Sequence, residues 1–304
     1  MKRTDILNSI KISKEDVVLE IGPGNMPFYR ADIYLERDLN NNIERAGDFK
    51  MNKTCVLGDA HNLPFDDKSI DYIFCAQVLE HSDNPREMLK EIIRVGRRGY
   101  IETPNFYREL LFGWPFHKWI VEIEGDKLVL YENKLPQYFG SLFHILQAEE
   151  YSGQIFFNLN FEKFNTVFKW ESSFEYEIKT HEDLIAKYTK ETGNKFCIRH
   201  NERSNNVNYR GILNLRLIVD CVPFLSKYKD SLLKIKNFFN RKKVTQLDSE
   251  ITCKIIIGKM ACMNCGGKFE QYLGQKKVGC KSCDNFLTID NGRLIIDKMY
   301  KGNV

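Results

Sequence analysis

Two sets of side chains in this 304-residue chain have the types and spacing that chemistry requires. Near the C-terminus, Cys262-Met263-Asn264-Cys265-Gly266-Gly267 and Cys280-Lys281-Ser282-Cys283 form two Cys-x-x-Cys knuckles with fourteen residues between Cys265 and Cys280. Each knuckle can wrap one side of a tetrahedral ion, and the glycines after the first free backbone amides to turn towards sulfur. Four thiolates leave no position open for water, so the zinc(II) such a site selects would be structural, and loss of Cys262 is expected to unfold chiefly the tail. In the first half of the chain, Glu20 and the loop Gly22-Pro23-Gly24-Asn25 follow an apolar run, and carboxylates recur at Glu36, Asp38 and Asp59. Glycines at 22 and 24 let the main chain approach a ligand without a Cβ and adopt positive φ. His81 and Glu102 are the candidates to move a proton. His117 and His144 sit in aromatic contexts that suit an acceptor pocket.

Such acids act together only if strands bring them together. Apolar runs at 17–21, 31–36, 55–59, 70–76 and 98–102 read as five strands, and Met88, Leu89, Ile92, Ile93 and Val95 recur at helical spacing between the last two. Strand and helix alternate, which predicts an α/β fold with a doubly wound, mostly parallel sheet. Ligands bind such sheets beyond the carboxyl ends of the strands, so Gly22, Glu36, Asp59 and Ala76 should line one crevice, with backbone groups of Ala76 and Gln77 facing the ligand. An acid ending the second strand can accept ribose hydroxyls, and one after the third can accept an adenine amino group. Residues 22–31 number only ten and include Pro23 and Pro27, too few for a full crossover helix. An N-terminal helix with Ile6, Leu7 and Ile10 on one side is expected to cover that face of the sheet instead. A nicotinamide-dinucleotide site would need Gly-x-Gly-x-x-Gly opening a full helix, and this chain has neither.

Taken in order, EIGPGN, YLERD and GDAHNLPFDDKSIDYIFCAQVLEH resemble the class I S-adenosylmethionine-dependent methyltransferases of the type 11 kind, over residues 15–104. The C-terminal knuckles resemble a Trm112-like zinc ribbon. The first resemblance implies S-adenosyl-L-methionine as cofactor, with Gly22 to Gly24 against its methionine portion, Glu36 at the ribose, and Asp59 with Ala60 at the adenine. Pro27 stands where a third glycine often occurs, which leaves the second-strand register open and keeps Asp38 as an alternative to Glu36. The implied reaction is methyl transfer to an oxygen or nitrogen of a small molecule or glycan precursor. Transfer to RNA or protein, with the ribbon as a docking surface for a partner, and a noncatalytic adaptor on the same fold are the alternatives.

The sequence divides into a cofactor-binding segment 1–150, an accessory segment 151–248 and a zinc ribbon 249–304. Aromatic density rises between about 105 and 180, where partial period-two alternation predicts strands within an α+β insertion that would supply the acceptor pocket. Gly125-Asp126 predicts a type II′ hairpin over 122–128, and Asp290-Asn291-Gly292-Arg293 a type I′ hairpin closing the ribbon. Thr180-His181-Glu182-Asp183 predicts a capped helix ending near Gly193, and 201–208 a polar loop. Leu225, Tyr228, Leu232, Ile235 and Phe239 mark an amphipathic helix in 223–243, which carries seven basic side chains and one acid. Such a face suits an anionic membrane surface or RNA phosphates, although packing on the chain's own body with solvated lysines is the reading favoured. A net charge of +4 does not by itself imply nucleic-acid binding. Cys55, Cys75, Cys197, Cys221 and Cys253 read as buried apolar fillers. With no leader, no membrane-spanning run and metal-type cysteine spacing, the expected location is cytoplasmic.

Overall fold

The computed structural model describes residues 3–40, 44–45, 47–136, 151–192, 255–272, 276–290 and 293–296. His144, Cys197, Cys221, Cys253, the loop 201–208, the helix expected in 223–243 and the Asn291-Gly292 turn lie outside the described residues. Met1–Lys187 and Ser249–Val304 make one compact unit, and Tyr188–Asp248 a second.

Five short strands form the centre of the first unit: β1 (Val18–Ile21), β2 (Ile33–Glu36), β3 (Thr54–Leu57), β4 (Tyr72–Ala76) and β5 (Arg98–Pro104). They lie in the order β3-β2-β1-β4-β5, all parallel. Both faces are covered, so β1 and β3 are buried along their whole length and read in sequence as continuous apolar runs. Strand β8 (Asn165–Glu171) adds antiparallel to β5. At the other edge, β13 (Arg293–Ile296) pairs parallel to β3, with Leu294 opposite Val56. Behind it follow β12 (Phe286–Asp290), β11 (Lys277–Cys280) and β10 (Phe269–Tyr272), all antiparallel. The segments expected to divide at 150 and 248 therefore share one sheet.

On one face of the sheet, helix α2 (Pro85–Val95) lays down Met88, Leu89, Ile92 and Val95. It starts where the Asn84 side chain accepts from Glu87 N, with Pro85 in the first turn. The same core holds Ile256, Ile257, Met260, Phe269 and Leu287 of the ribbon. On the other face, no helix joins β1 to β2 among the described residues. The short N-terminal helix α1 (Arg3–Asn8) places Ile6 there instead, with Leu7 and Ile10 packed at its margin. Phe28 from the β1–β2 loop stacks on Phe74 at 4.1 Å, and Phe74 on Tyr100 at 4.9 Å, filling the space a crossover helix would take.

The insertion contributes β6 (Trp119–Glu124) and β7 (Lys127–Glu132), joined through Gly125 at φ +65° as a type II′ turn requires, and β9 (Tyr176–Lys179), parallel to β7. Helix α6 (His181–Thr192) follows, its first turn tied by Thr180 and Asp183. The aromatic stretch before β8 departs from the strands expected of it. Tyr151–Leu159 and Phe161–Phe164 are helices α4 and α5, and Phe106–Phe112 is helix α3. Phe157 and Phe164 meet edge to face at 5.4 Å, beside a buried Phe161. Their three-to-four spacing serves a helix face, while aromatic content alone imitates a strand.

Candidate functional site

The strand order reverses between β1 and β4, and both strands end on a left-handed residue: Gly22 at φ +62° and Gln77 at φ +60°. A Cβ on Gly22 would lie 2.6 Å from Val78 Cγ2, so only glycine lets these two exits pass so closely. Gln77, a non-glycine residue in that conformation, is held by its N–H donating to Glu102 O at 2.7 Å. Strained backbone of this kind collects at ligand sites. Gly22 N donates to Leu35 O at 2.9 Å, and Gly24, at φ +56°, accepts Lys50 N at 3.2 Å through its carbonyl. Pro23 is buried and Asn25 half-buried in this loop. Glu20 sits beneath it, its two carboxylate oxygens 3.0 and 2.8 Å from Phe28 N, and burial pushes its pKa up to about 8. Its carboxylate thus fastens the loop from below.

The acids of the next two strands arrive at the same end. Glu36 closes β2, and its carbonyl accepts Gly58 N at 3.0 Å, so the tips of β2 and β3 are joined. Its half-buried carboxylate lies 3.4 Å from Arg45 Nη2; burial raises its pKa against the pull of that guanidinium. Asp38 is exposed, and its carboxylate accepts Asn40 N at 2.8 Å within the following turn. Asp59, just past β3, uses Oδ1 for both its hydrogen bonds, to His61 N at 2.9 Å and to the His61 ring at Nδ1. His61 Nε2 meets Ser82 Oγ at 2.7 Å. A continuous Asp59–His61–Ser82 chain thereby ties the β3 exit to the turn after β4, with Ala60 packed at the margin of the core.

His81 belongs to a single 3₁₀ turn, Leu79–His81, that follows β4. Burial, and then the neighbouring His117, Lys118 and Arg37, push its pKa down to about 3, so the ring stays neutral. A neutral imidazole can accept a hydrogen bond or ligate an ion, but so weak a base takes a proton poorly at neutral pH. Glu102 is buried and fully engaged: Arg3 Nε lies 3.1 and 3.0 Å from its two oxygens, Tyr100 OH donates at 2.6 Å, and Gln77 Nε2 at 3.2 Å. That network gives Glu102 the task of joining α1 to β5. Ala76 and Gln77 sit between these groups at the tip of β4. His117 comes from the loop before β6 and donates or accepts at Nδ1 with Glu109 Oε1, 2.7 Å away.

In the ribbon, Sγ–Sγ separations are 3.7 Å for Cys262–Cys283, 3.5 Å for Cys265–Cys280 and 3.5 Å for Cys265–Cys283. Bonds of about 2.3 Å to one tetrahedral ion place sulfurs roughly 3.8 Å apart, so the four thiols fit a zinc(II). Asn285 Nδ2 and Asn264 Nδ2 approach Cys262 and Cys283 sulfurs at 3.5 and 3.6 Å, the donors a thiolate cluster needs around it.

Residues 30–101 match the family model described as a methyltransferase domain. That stretch runs from β2 into β5, and together with the strand order it gives an α/β class I methyltransferase fold. An uncharacterised protein of Methanocaldococcus jannaschii is 30% identical over 82 residues, 27% of this chain and 40% of that protein. The chain thus spans well under half of that relative's length. Among solved structures, the complex between the Haloferax volcanii Trm112 methyltransferase activator and a protein proposed to be a methyltransferase aligns with 21% identity and a TM-score of 0.27, covering 34% of this chain and 50% of that one. A Pyrococcus horikoshii protein aligns with 18% identity and a TM-score of 0.30, covering 46% and 74%. At such scores the fold assignment rests on the strand order and the matched stretch.

His61 and Arg3, which tie these strand ends together, are not among the candidate residues of the sequence, and Glu80 enters there only within the stretch GDAHNLPFDDKSIDYIFCAQVLEH. His61 had a signal, standing two residues past Asp59. Arg3 had none, because its partner is 99 positions away.

Proposed function

We propose that this chain is an S-adenosylmethionine-dependent methyltransferase acting on an oxygen or nitrogen of a small molecule or glycan precursor. The observation that carries the reading is the paired left-handed exit of β1 and β4 at the point where strand order reverses, with Glu36 and Asp59 joined to it by backbone and side-chain hydrogen bonds. The cofactor supplies an activated sulfonium methyl when bound. Gly22 and Gly24 leave room for its methionine end, Glu36 accepts the ribose hydroxyls, and the Oδ2 of Asp59 is available for the adenine amino group. The residues around the 3₁₀ turn form the acceptor wall, where Phe116 stacks near His81 at 5.8 Å and meets Trp114 edge-on at 4.7 Å. Such rings exclude water and lie flat against sugars or heterocycles. In the ribbon, Cys262, Cys265, Cys280 and Cys283 would hold a structural zinc(II). Paired Cys-x-x-Cys spacing of this kind suits a metal in a reducing cytoplasm. Among the described residues, no helix is long and apolar enough to cross a membrane.

Calorimetry with S-adenosylmethionine and its demethylated product tests the cofactor, and Gly22→Ala should abolish both signals; no binding by the wild type ends the reading. Methyl-labelled cofactor with fractionated extract tests the acceptor. Label in small molecules or glycan precursors supports the proposal, whereas label in RNA or protein, or binding without turnover, overturns its acceptor assignment.

A further inference from the structure

We propose that Glu80, His81 and His117 form a binding site for a divalent first-row transition-metal ion, separate from the cysteine cluster. Glu80 is fully buried, and neither carboxylate oxygen has a hydrogen-bond partner. An ionised carboxylate in that position is costly without a cation. The two imidazoles beside it supply the rest of a ligand set. One atom from each of the three side chains can be chosen so that all lie within 4.8 Å of one another. Donors sharing an ion at about 2.1 Å sit roughly 3–4.2 Å apart, so small side-chain rotations close the site.

The surroundings are those of metal-binding histidines. His117 Nδ1 faces Glu109 Oε1 at 2.7 Å, and Glu109 is itself buried and accepts Asn133 Nδ2 at 3.1 Å, which fixes the ring and leaves Nε2 as the ligand. His81 Nδ1 lies 3.3 Å from Glu44 Oε2, and its Nε2 is 3.9 Å from Glu80 Oε1. The two rings stand perpendicular at 4.7 Å. Lys118 N donating to Glu80 O at 2.7 Å and Trp119 Nε1 donating to Ser82 O at 2.8 Å bring the His117 loop to the 3₁₀ turn. Two imidazoles and one carboxylate suit manganese, iron, cobalt or zinc and leave coordination positions open. The use of those positions, which rests on the methyltransferase reading, is to hold an acceptor oxygen; ion binding does not rest on it.

The test uses the full chain with its cysteine cluster loaded with zinc and no cofactor present. Manganese(II) binding is followed by the electron paramagnetic resonance of the free ion, and cobalt(II) by visible absorption without a thiolate charge-transfer band. One ion per chain beyond the zinc is expected. Glu80→Gln and His117→Asn should each weaken binding at least tenfold, and Glu109→Gln, a positioning residue, by tenfold to a hundredfold. In the wild type, manganese should broaden the His81 and His117 ring-proton resonances, a readout that needs no variant to fold. No saturable binding of either ion, unbroadened rings, or folded variants that bind as the wild type does would overturn the site. A chain that binds S-adenosylmethionine in calorimetry but neither ion sinks the metal site alone, and one that binds the ion but not S-adenosylmethionine sinks the methyltransferase reading alone.

Discussion

At the scale of single residues, Glu20 shows how a site borrows from stability. Its carboxylate is buried under the Gly22–Gly24 loop with one N–H, from Phe28, shared across both oxygens. Burial raises its pKa from 4.5 to about 8, so between those values the folded chain binds a proton that the unfolded chain has released. The contribution of Glu20 to stability therefore falls as pH rises from about 5 to 8, by up to roughly 1.4 kcal/mol per pH unit. Glu20→Gln keeps an oxygen for Phe28 N and removes the titration. Its thermal midpoint should match the wild type near pH 5 and exceed it at pH 8. Melting curves that run parallel across this range would show that Glu20 titrates as an ordinary carboxyl.

At the scale of elements, α1 has six residues and buries one apolar side chain, too little to be helical unaided. Its anchor is Arg3 on Glu102, with the Tyr100 hydroxyl donating to the same carboxylate. Arg3→Ala should cost about 1–3 kcal/mol, because a buried carboxylate loses a hydrogen-bonded cationic partner while Arg3 itself is partly solvated. Amides of 3–8 should then exchange freely, and unchanged protection there would place the anchor elsewhere. The same element shows why some of the structure was legible in the sequence and some was not. Strands β1 to β5 were readable because burial on both faces writes an uninterrupted apolar run, and each observed strand begins and ends within about two residues of its run. The thin crossover after β1 was readable from Pro23 and Pro27, and so was its replacement by Ile6. The knuckles were readable because the four cysteines lie in two local pairs. Non-local pairings leave no such trace: Arg3 with Glu102 and β13 with β3 depend on how elements meet. The helices α4 and α5 were misread because phenylalanine is enriched in strands yet equally serves a helix face.

At the scale of the molecule, the ribbon is the end of the sheet. β13 lies parallel to β3, and Ile256, Ile257, Met260, Phe269, Leu287 and Leu294 share one core with Leu35, Val56, Leu63 and Phe65. Backbone bonds from Asp66 N to Lys259 O at 2.9 Å and from Ala261 N to Pro64 O at 3.2 Å join the loop after β3 to the approach to Cys262. Without β13 the β3 strand becomes an open edge, with unpaired N–H and C=O groups next to the strand that carries Glu36. Loss of the knuckles should therefore reach beyond the tail that the sequence alone suggested would unfold. Cys262→Ser, or chelation after loading with zinc(II), should lower the thermal midpoint of the whole unit by roughly 2–4 °C for each kcal/mol lost. Hydrogen exchange locates the effect: amides of Thr54–Leu57 should lose protection together with those of Arg293–Ile296, and β2 should follow because it depends on β3. If Thr54–Leu57 stays protected while 255–296 exchanges freely, the ribbon is an appendage and the paired edge adds nothing to the cofactor crevice. If both give way at once, the cysteine knuckles of the tail and the carboxylates at the strand tips belong to one cooperative structure.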